Sequence, residues 1–191
     1  MRSNENPLVI TIFSLIATCV LLAGPALADD CLSQYLDTKA LVTLAKCQDV
    51  KCVERARSAQ NPELTIPAVF SAARLADLQG AAADSAILAA IPQDSLTFHI
   101  AYAITEPELG DRVQDVRFLF WRFFDHAVAA VIRHPAEMRR FIRLQLFTDG
   151  ETKAAVVDGA REVMKKRRTA YCAAVATFSR AQRELISPSC D

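Results

Sequence analysis

The residues in this chain that could carry chemistry are three histidines, His99, His126 and His134, together with its cysteines and a few clustered arginines. Asp125-His126 suggests an acid–base pair, with the histidine as the general base of a hydrolase. Adjacent helical residues point about 100° apart, however, so Asp125 does not readily orient His126, and no serine or cysteine in a nucleophile motif accompanies them. His126 therefore reads as a surface histidine beside Arg122. His99 falls on the apolar side of its segment and reads as a core or boundary residue, and His134, ahead of Pro135, as a helix-start residue. Three histidines on three elements supply no metal-ligand spacing. No P-loop, Rossmann glycine fingerprint, H-E-x-x-H or G-x-S-x-G occurs, and five glycines leave little material for a phosphate-cradling loop. The sequence thus names no catalytic residue, cofactor or metal.

Cysteine chemistry depends on compartment. Leu8 to Ala23 is almost wholly apolar, follows a short segment with Arg2, and leads through Pro25 to Ala26-Leu27-Ala28 ahead of Asp29-Asp30. This is the pattern of a signal peptide over residues 1–28 with an A-x-A cleavage site. Its apolar run falls short of the roughly 20 residues that a membrane-spanning helix needs. Cys19 lacks the lead-in of a lipoprotein site. Export permits disulfides among Cys31, Cys47, Cys52, Cys172 and Cys190, with at least one of the five left over. Cys47 and Cys52 bracket a turn between two expected helices, where antiparallel ends bring Cα atoms within the required 4.4–6.8 Å, roughly. A zinc site would need further ligands from distant positions. If the last helix runs on from Cys172 to Ile186 it advances about 21 Å, and the remaining residues return at most about 14 Å. Cys31 is then the expected partner of Cys172 or Cys190, ahead of a Cys172–Cys190 bridge.

Arginine could bind anions. Lys165-Lys166-Arg167-Arg168 resembles a nucleic-acid or lipid patch, but four consecutive helical residues spread around the axis and form no single face. Arg139 and Arg143, one turn apart, make the better candidate for an anionic partner. Charge is uneven along the chain: residues 29–110 hold six basic and eleven acidic residues, a balance of −5, whereas residues 111–191 hold fifteen and ten, a balance of +5. Mutual attraction of the two parts in the folded state is the simpler explanation.

The element that must position these groups is Asp111 to Ile132. Val113, Val116, Phe120, Phe123, Phe124, Ala127 and Val131 fall in one apolar sector at 3.6 residues per turn. Leu119, Ala130, Trp121, Val128, Phe118 and Ile132 extend it, leaving to water a narrow strip with Asp115, Arg122, His126 and Arg133. A helix apolar nearly all round is enclosed by its neighbours. Around it the sequence predicts a loose first helix over Cys31 to Cys47, a short one over Cys52 to Ala59, and another from about Ala68 that ends at Gly80. A short helix over Ala81 to Ala90, stopped by Pro92, comes next. Ser95 to Thr105 fits strand alternation and helix spacing alike, and helix is preferred because a lone strand lacks a ladder partner. His134-Pro135 ends the central helix and opens one that faces Met138, Phe141 and Leu144 inward. A long final helix follows over Glu151 to Leu185, with Val157, Ala160, Met164, Tyr171, Val175, Phe178 and Leu185 on one face and Gly159 as its weak point.

The expectation is an all-α fold, a single domain of six to eight helices over residues 29–191 behind the signal peptide, with a long C-terminal helix. Export, arginine in excess of lysine, heavy alanine use and the lack of an N-glycosylation sequon point to a periplasmic or secreted location of the Gram-negative type. The functional expectation is a non-enzymatic helical interaction module, such as an inhibitor, an immunity-type protector or an envelope adaptor. Its partner would be another envelope or secreted protein rather than nucleic acid, with no stable membrane span after signal cleavage. A carrier of a small apolar ligand or lipid is the alternative. A hydrolase using His126 or His99 as general base is the weaker one.

Overall fold

In a computed structural model of the chain the described residues are 38–59, 66–103, 116, 118–148 and 150–190. Among them the fold is all helical, with no strand, and ends in a long C-terminal helix. The elements in order are α1 (Thr38–Lys46), α2 (Val50–Ser58), α3 (Ile66–Gln79), α4 (Asp84–Ala90), α5 (Ser95–Ala103), α6 (Leu119–Arg133), α7 (Met138–Arg143), α8 (Gly150–Ala176) and the one-turn α9 (Arg180–Arg183). The expected signal peptide, Cys31, Thr105 and the start of the central segment at residues 111–115 lie outside the described residues.

Local signals set most boundaries. Asp49 caps α2 by accepting the Cys52 N–H at 2.8 Å. Gly80 takes the left-handed φ of 58° that ends α3 and passes the chain through a 3-10 turn into α4. The ambiguous segment is helix α5, and the Asp94 carboxylate accepts from both the N–H and the hydroxyl of Thr97 at its start. His134 stops α6, and Pro135 begins the turn that leads into α7.

The central helix is shorter than its apolar pattern. The described helix begins at Leu119, just after a turn at Val116 and Phe118 closed by the Leu119 N–H and the Val116 carbonyl. The apolar sector is otherwise placed as its spacing requires: Phe120, Phe123, Phe124, Ala127 and Val131 are all buried. The helix packs on α3 and α4 on one side and on α7 and α8 on another. Phe120 meets Phe98 and Tyr102 edge to face at 5.7 and 5.9 Å, and Phe124 meets Phe141 at 5.6 Å.

The C-terminal part departs from the sequence reading in three ways. First, α8 stops at Ala176 rather than Leu185, because Ser179 and Gln182 form a reciprocal capping box that starts α9. Second, Gly159 is not a weak point. A Cβ there would lie 2.9 Å from Val128 Cγ2 and 3.0 Å from the Phe124 ring, so glycine is what lets α8 approach α6. The irregularity sits at Arg167 instead, with φ −140° and ψ 45°, where the guanidinium Nε donates to the Ile132 carbonyl at 2.9 Å. This kink reconciles two apolar stripes that a straight helix would hold about 60° apart, Val156–Ala160–Val163 and Tyr171–Val175–Phe178.

Third, the disulfides are Cys47–Cys52, as the turn spacing suggests, and Cys172–Cys190, with Cα separations of 5.4 and 5.5 Å. The second pairing overturns the preference for Cys31 as the partner of Cys172 or Cys190. Once the helix ends at Ala176 its advance beyond Cys172 is only about 6 Å, and the chain from Thr177 onward has ample length to return. The buried Tyr171 hydroxyl, which donates to the carbonyls of Ser187 and Pro188, and the Gln145 side chain, which accepts the Ser187 N–H at 2.8 Å, fasten that return. Burial raises the pKa of Tyr171 above its ordinary value, so it remains a donor.

Phe120 is 2% exposed and Phe118 is 64% exposed. Phe120→Ala is expected to destabilise the protein by about 3–5 kcal/mol, as truncation of a buried phenylalanine does, and Phe118→Ala by less than about 1 kcal/mol. Urea midpoints for the two variants check the phase of α6; equal midpoints would contradict it.

Candidate functional site

The polar strip of α6 lies along its boundary with α3 and α4, where Arg122, His126 and Arg133 meet carboxylates. On the facing elements, the run from Ala68 to Ile91 contains only three charged residues, Arg74, Asp77 and Asp84. Asp77 pairs with His126 Nε2 at 3.0 Å and accepts from Arg74 at 3.4 Å, and Arg122 forms an ion pair with it at 3.0 Å. At the start of α4, Asp84 accepts two hydrogen bonds from Arg133, at 2.6 and 2.7 Å, and pairs with His134 Nε2 at 2.9 Å. A carboxylate only accepts, so Nε2 carries the proton in both histidines. The side chains of Asp77 and Asp84 are 11% and 8% exposed, whereas those of Arg122 and Arg133 are about half exposed. The Arg133 pair holds the Asp84 carboxyl below its ordinary pKa even against the opposing cost of burial, and Asp84 in turn raises that of Arg133.

This arrangement corrects the reading of His126 as a surface histidine: it stands beside Arg122, but the two converge on Asp77. His134 is likewise paired across the fold, not only a residue at a helix boundary. His99 is buried on α5 with its ring edge-on to Phe98. Among the described residues no serine or cysteine is hydrogen-bonded to either Asp–His pair. Among the described residues no group of three or more His, Cys, Asp or Glu is placed to hold a metal ion.

The expected anionic patch is split by its own packing. Arg139 lies over the Phe178 ring at 5.1 Å and donates to Thr177 Oγ1 at 3.0 Å, while Arg143 lies over Phe147 at 5.4 Å. Both remain exposed, yet each is held by a different aromatic ring. The basic run divides too: Arg167 serves the kink, and Lys166 pairs with Glu162 at 2.9 Å.

On the remaining edge of α6 the structure brings together residues that motif reasoning did not single out. A surface groove of about 580 Å³ runs between α6 and α8. Trp121, Phe124, Val128 and Ile132 from α6, with Ala155 and Gly159 from α8, form its apolar floor. Asp125, Asp158, Glu162, Arg133 and Lys166 stand along it. Its signal was present in the pattern: Trp121 and Ile132 extend the apolar sector beyond what one core face requires, and Gly159 interrupts an otherwise strong helix former. Which element would lie beside that edge was not in the pattern.

No known protein family, curated protein or solved structure matches the chain. The site is therefore read from its own geometry.

Because the folded pKa of Asp84 is lowered, its stabilising contribution is complete above the unfolded carboxylate value of about 3.9 and is lost as pH falls through that range toward the folded value. Asp84→Asn is expected to cost about 2 kcal/mol near pH 7. Urea midpoints of the variant and the parent should converge as pH is lowered below about 4. A gap that stays constant down to acid pH would contradict the pairing.

Proposed function

We propose that the protein is an exported helical interaction module that holds another envelope or secreted protein in the groove between α6 and α8. The observation that carries this reading is the groove itself: an apolar floor flanked on both helices by charged residues, open at the surface. An apolar centre with a polar rim is the anatomy of a protein-binding patch. Two further observations support the setting. The two described cysteine pairs fit an oxidising compartment. Among the described residues no helix is long and apolar enough to cross a membrane.

A small apolar ligand is the second reading, favoured by the size of the groove and its aromatic floor. Ligand pockets of that size enclose most of their occupant, however, and this groove is open. The Asp–His pairs support neither reading: each imidazole hydrogen-bonds a carboxylate that arginine already neutralises, an arrangement that stabilises a seam.

Ala129 lies in the groove, and Ala181 is exposed on α9, away from it. A photo-crosslinking residue at Ala129, in cells that make the protein, is expected to give one protein adduct of discrete mass that the same residue at Ala181 does not give. Ala155→Glu, which places a charge in the apolar floor, should abolish that adduct. The same adducts from both positions would refute the reading, and a lipid-sized adduct from Ala129 would shift it to the carrier.

A further inference from the structure

Charge is ordered along the groove. Gly159 lies beside Phe124 and Val128, and Arg167 reaches the Ile132 carbonyl, so α6 and α8 run in the same direction and their residues pair level by level. At the level of Phe124 stand Asp125 and Asp158, at that of Val128 stands Glu162, and at that of Ile132 stand Arg133 and Lys166. The rim therefore passes from acidic to basic over the three turns from Trp121 to Arg133, a length of about 18 Å.

Some of these charges have partners. Asp158 pairs with Arg161 and Glu162 with Lys166, but all four are more than half exposed, and such pairs are readily exchanged. Arg133 is committed more firmly, to Asp84. It still presents a half-exposed side chain at the basic end, where Lys166 adds a second cation.

An α-helix carries partial positive charge at its N-terminus and partial negative charge at its C-terminus. Resting on the rationale that the groove binds protein, we infer that its occupant is an amphipathic helix of the partner lying parallel to α6. Its N-terminal, basic half sits against Asp125 and Asp158, and its C-terminal, acidic half against Arg133 and Lys166. Its apolar stripe, spaced i, i+3, i+4 and i+7, covers Trp121, Val128 and Ile132. A helix of about 12 residues spans the groove. The antiparallel orientation would set its dipole and flanking charges against the rim at both ends.

Trp121 is the only tryptophan in the chain and lies in the groove, so its fluorescence reports occupancy directly. The probes are two stapled helical peptides of about 14 residues with the same composition and apolar stripe. One carries lysines in its N-terminal half and glutamates in its C-terminal half, and the other is reversed. The full-length protein is expected to bind the first about tenfold more tightly, the sum of a few exposed charge pairs. The advantage should shrink in high salt. The exposed double change Asp125→Lys with Asp158→Lys should remove it, and circular dichroism shows whether that variant is folded. If it is not folded, the salt titration of the parent protein decides alone.

Equal binding of the two peptides, or preference for the reversed one, would overturn the orientation while leaving the groove as a protein site. Failure of both peptides, together with a protein adduct at Ala129, would overturn the helix and leave a partner of another shape. Failure of both with no such adduct would remove the protein-binding reading as well. A Trp121 change that depends on protein concentration alone would assign the groove to a second copy of the chain, and a response only to a fatty acid would assign it to a carrier.

Discussion

A carboxylate withdrawn from water must meet cations, and the seam between α6 and the α3–α4 pair is built on that constraint. Asp77 and Asp84 sit in a run whose only other charged residue is Arg74, the rest being alanine, leucine and other uncharged side chains. Left alone there, each would cost several kcal/mol of desolvation, about the order of a typical domain's whole margin of stability. Arg122 with His126 and Arg133 with His134 meet them at matching positions. Asp77 lies on α3 and Asp84 at the start of α4, so the two clusters fix α6 against both helices at once. Arg74 extends the network, bridging Asp77 and the Cys47 carbonyl and so joining the disulfide turn between α1 and α2 to the central seam. The opposite charge balances of the two parts of the chain are expressed here as contacts.

Among the described residues, α3 and α4 engage the polar strip of α6, and α5, α7 and the core engage its aromatic face, which leaves the edge toward α8. Trp121, Ala129 and Ile132 lie along it, half-buried. Gly159 brings α8 against Phe124 and Val128, and the kink at Arg167 allows the remainder of α8 to keep its own apolar stripe inward. The groove is what remains between two helices that approach closely at one point and run alongside each other for three turns. Fold and candidate site thus share one helix, with different sides of it serving each.

Much of the fold was legible in the sequence because it rests on local patterns. The apolar sector of α6, the stop at His134-Pro135, the left-handed Gly80 and the cysteines around the first turn follow from spacing and backbone preference. The structure departs from these patterns where a second local signal competes or where two distant segments meet. Ser179 to Gln182 is a capping box readable in the sequence; it ends the long helix before Leu185 and so leaves Cys190 the length to return to Cys172. Asp77 and Asp84 could have been noticed as isolated acids in an apolar run, but their pairing with α6 depends on helix packing. The groove was least legible, since an apolar edge shows that something covers it without showing what, and Gly159 reads as weakness until its neighbour is known.

α6 is the post on which the other helices depend, held by its aromatic face and by the two carboxylate clusters. Native-state amide hydrogen exchange tests this most directly. The amides from Phe123 to Val131 are expected to be the most protected in the chain and to open only with global unfolding, together with the facing part of α3. Exchange of those amides through a local opening, while α1 and α2 or the end of α8 remain protected, would contradict it.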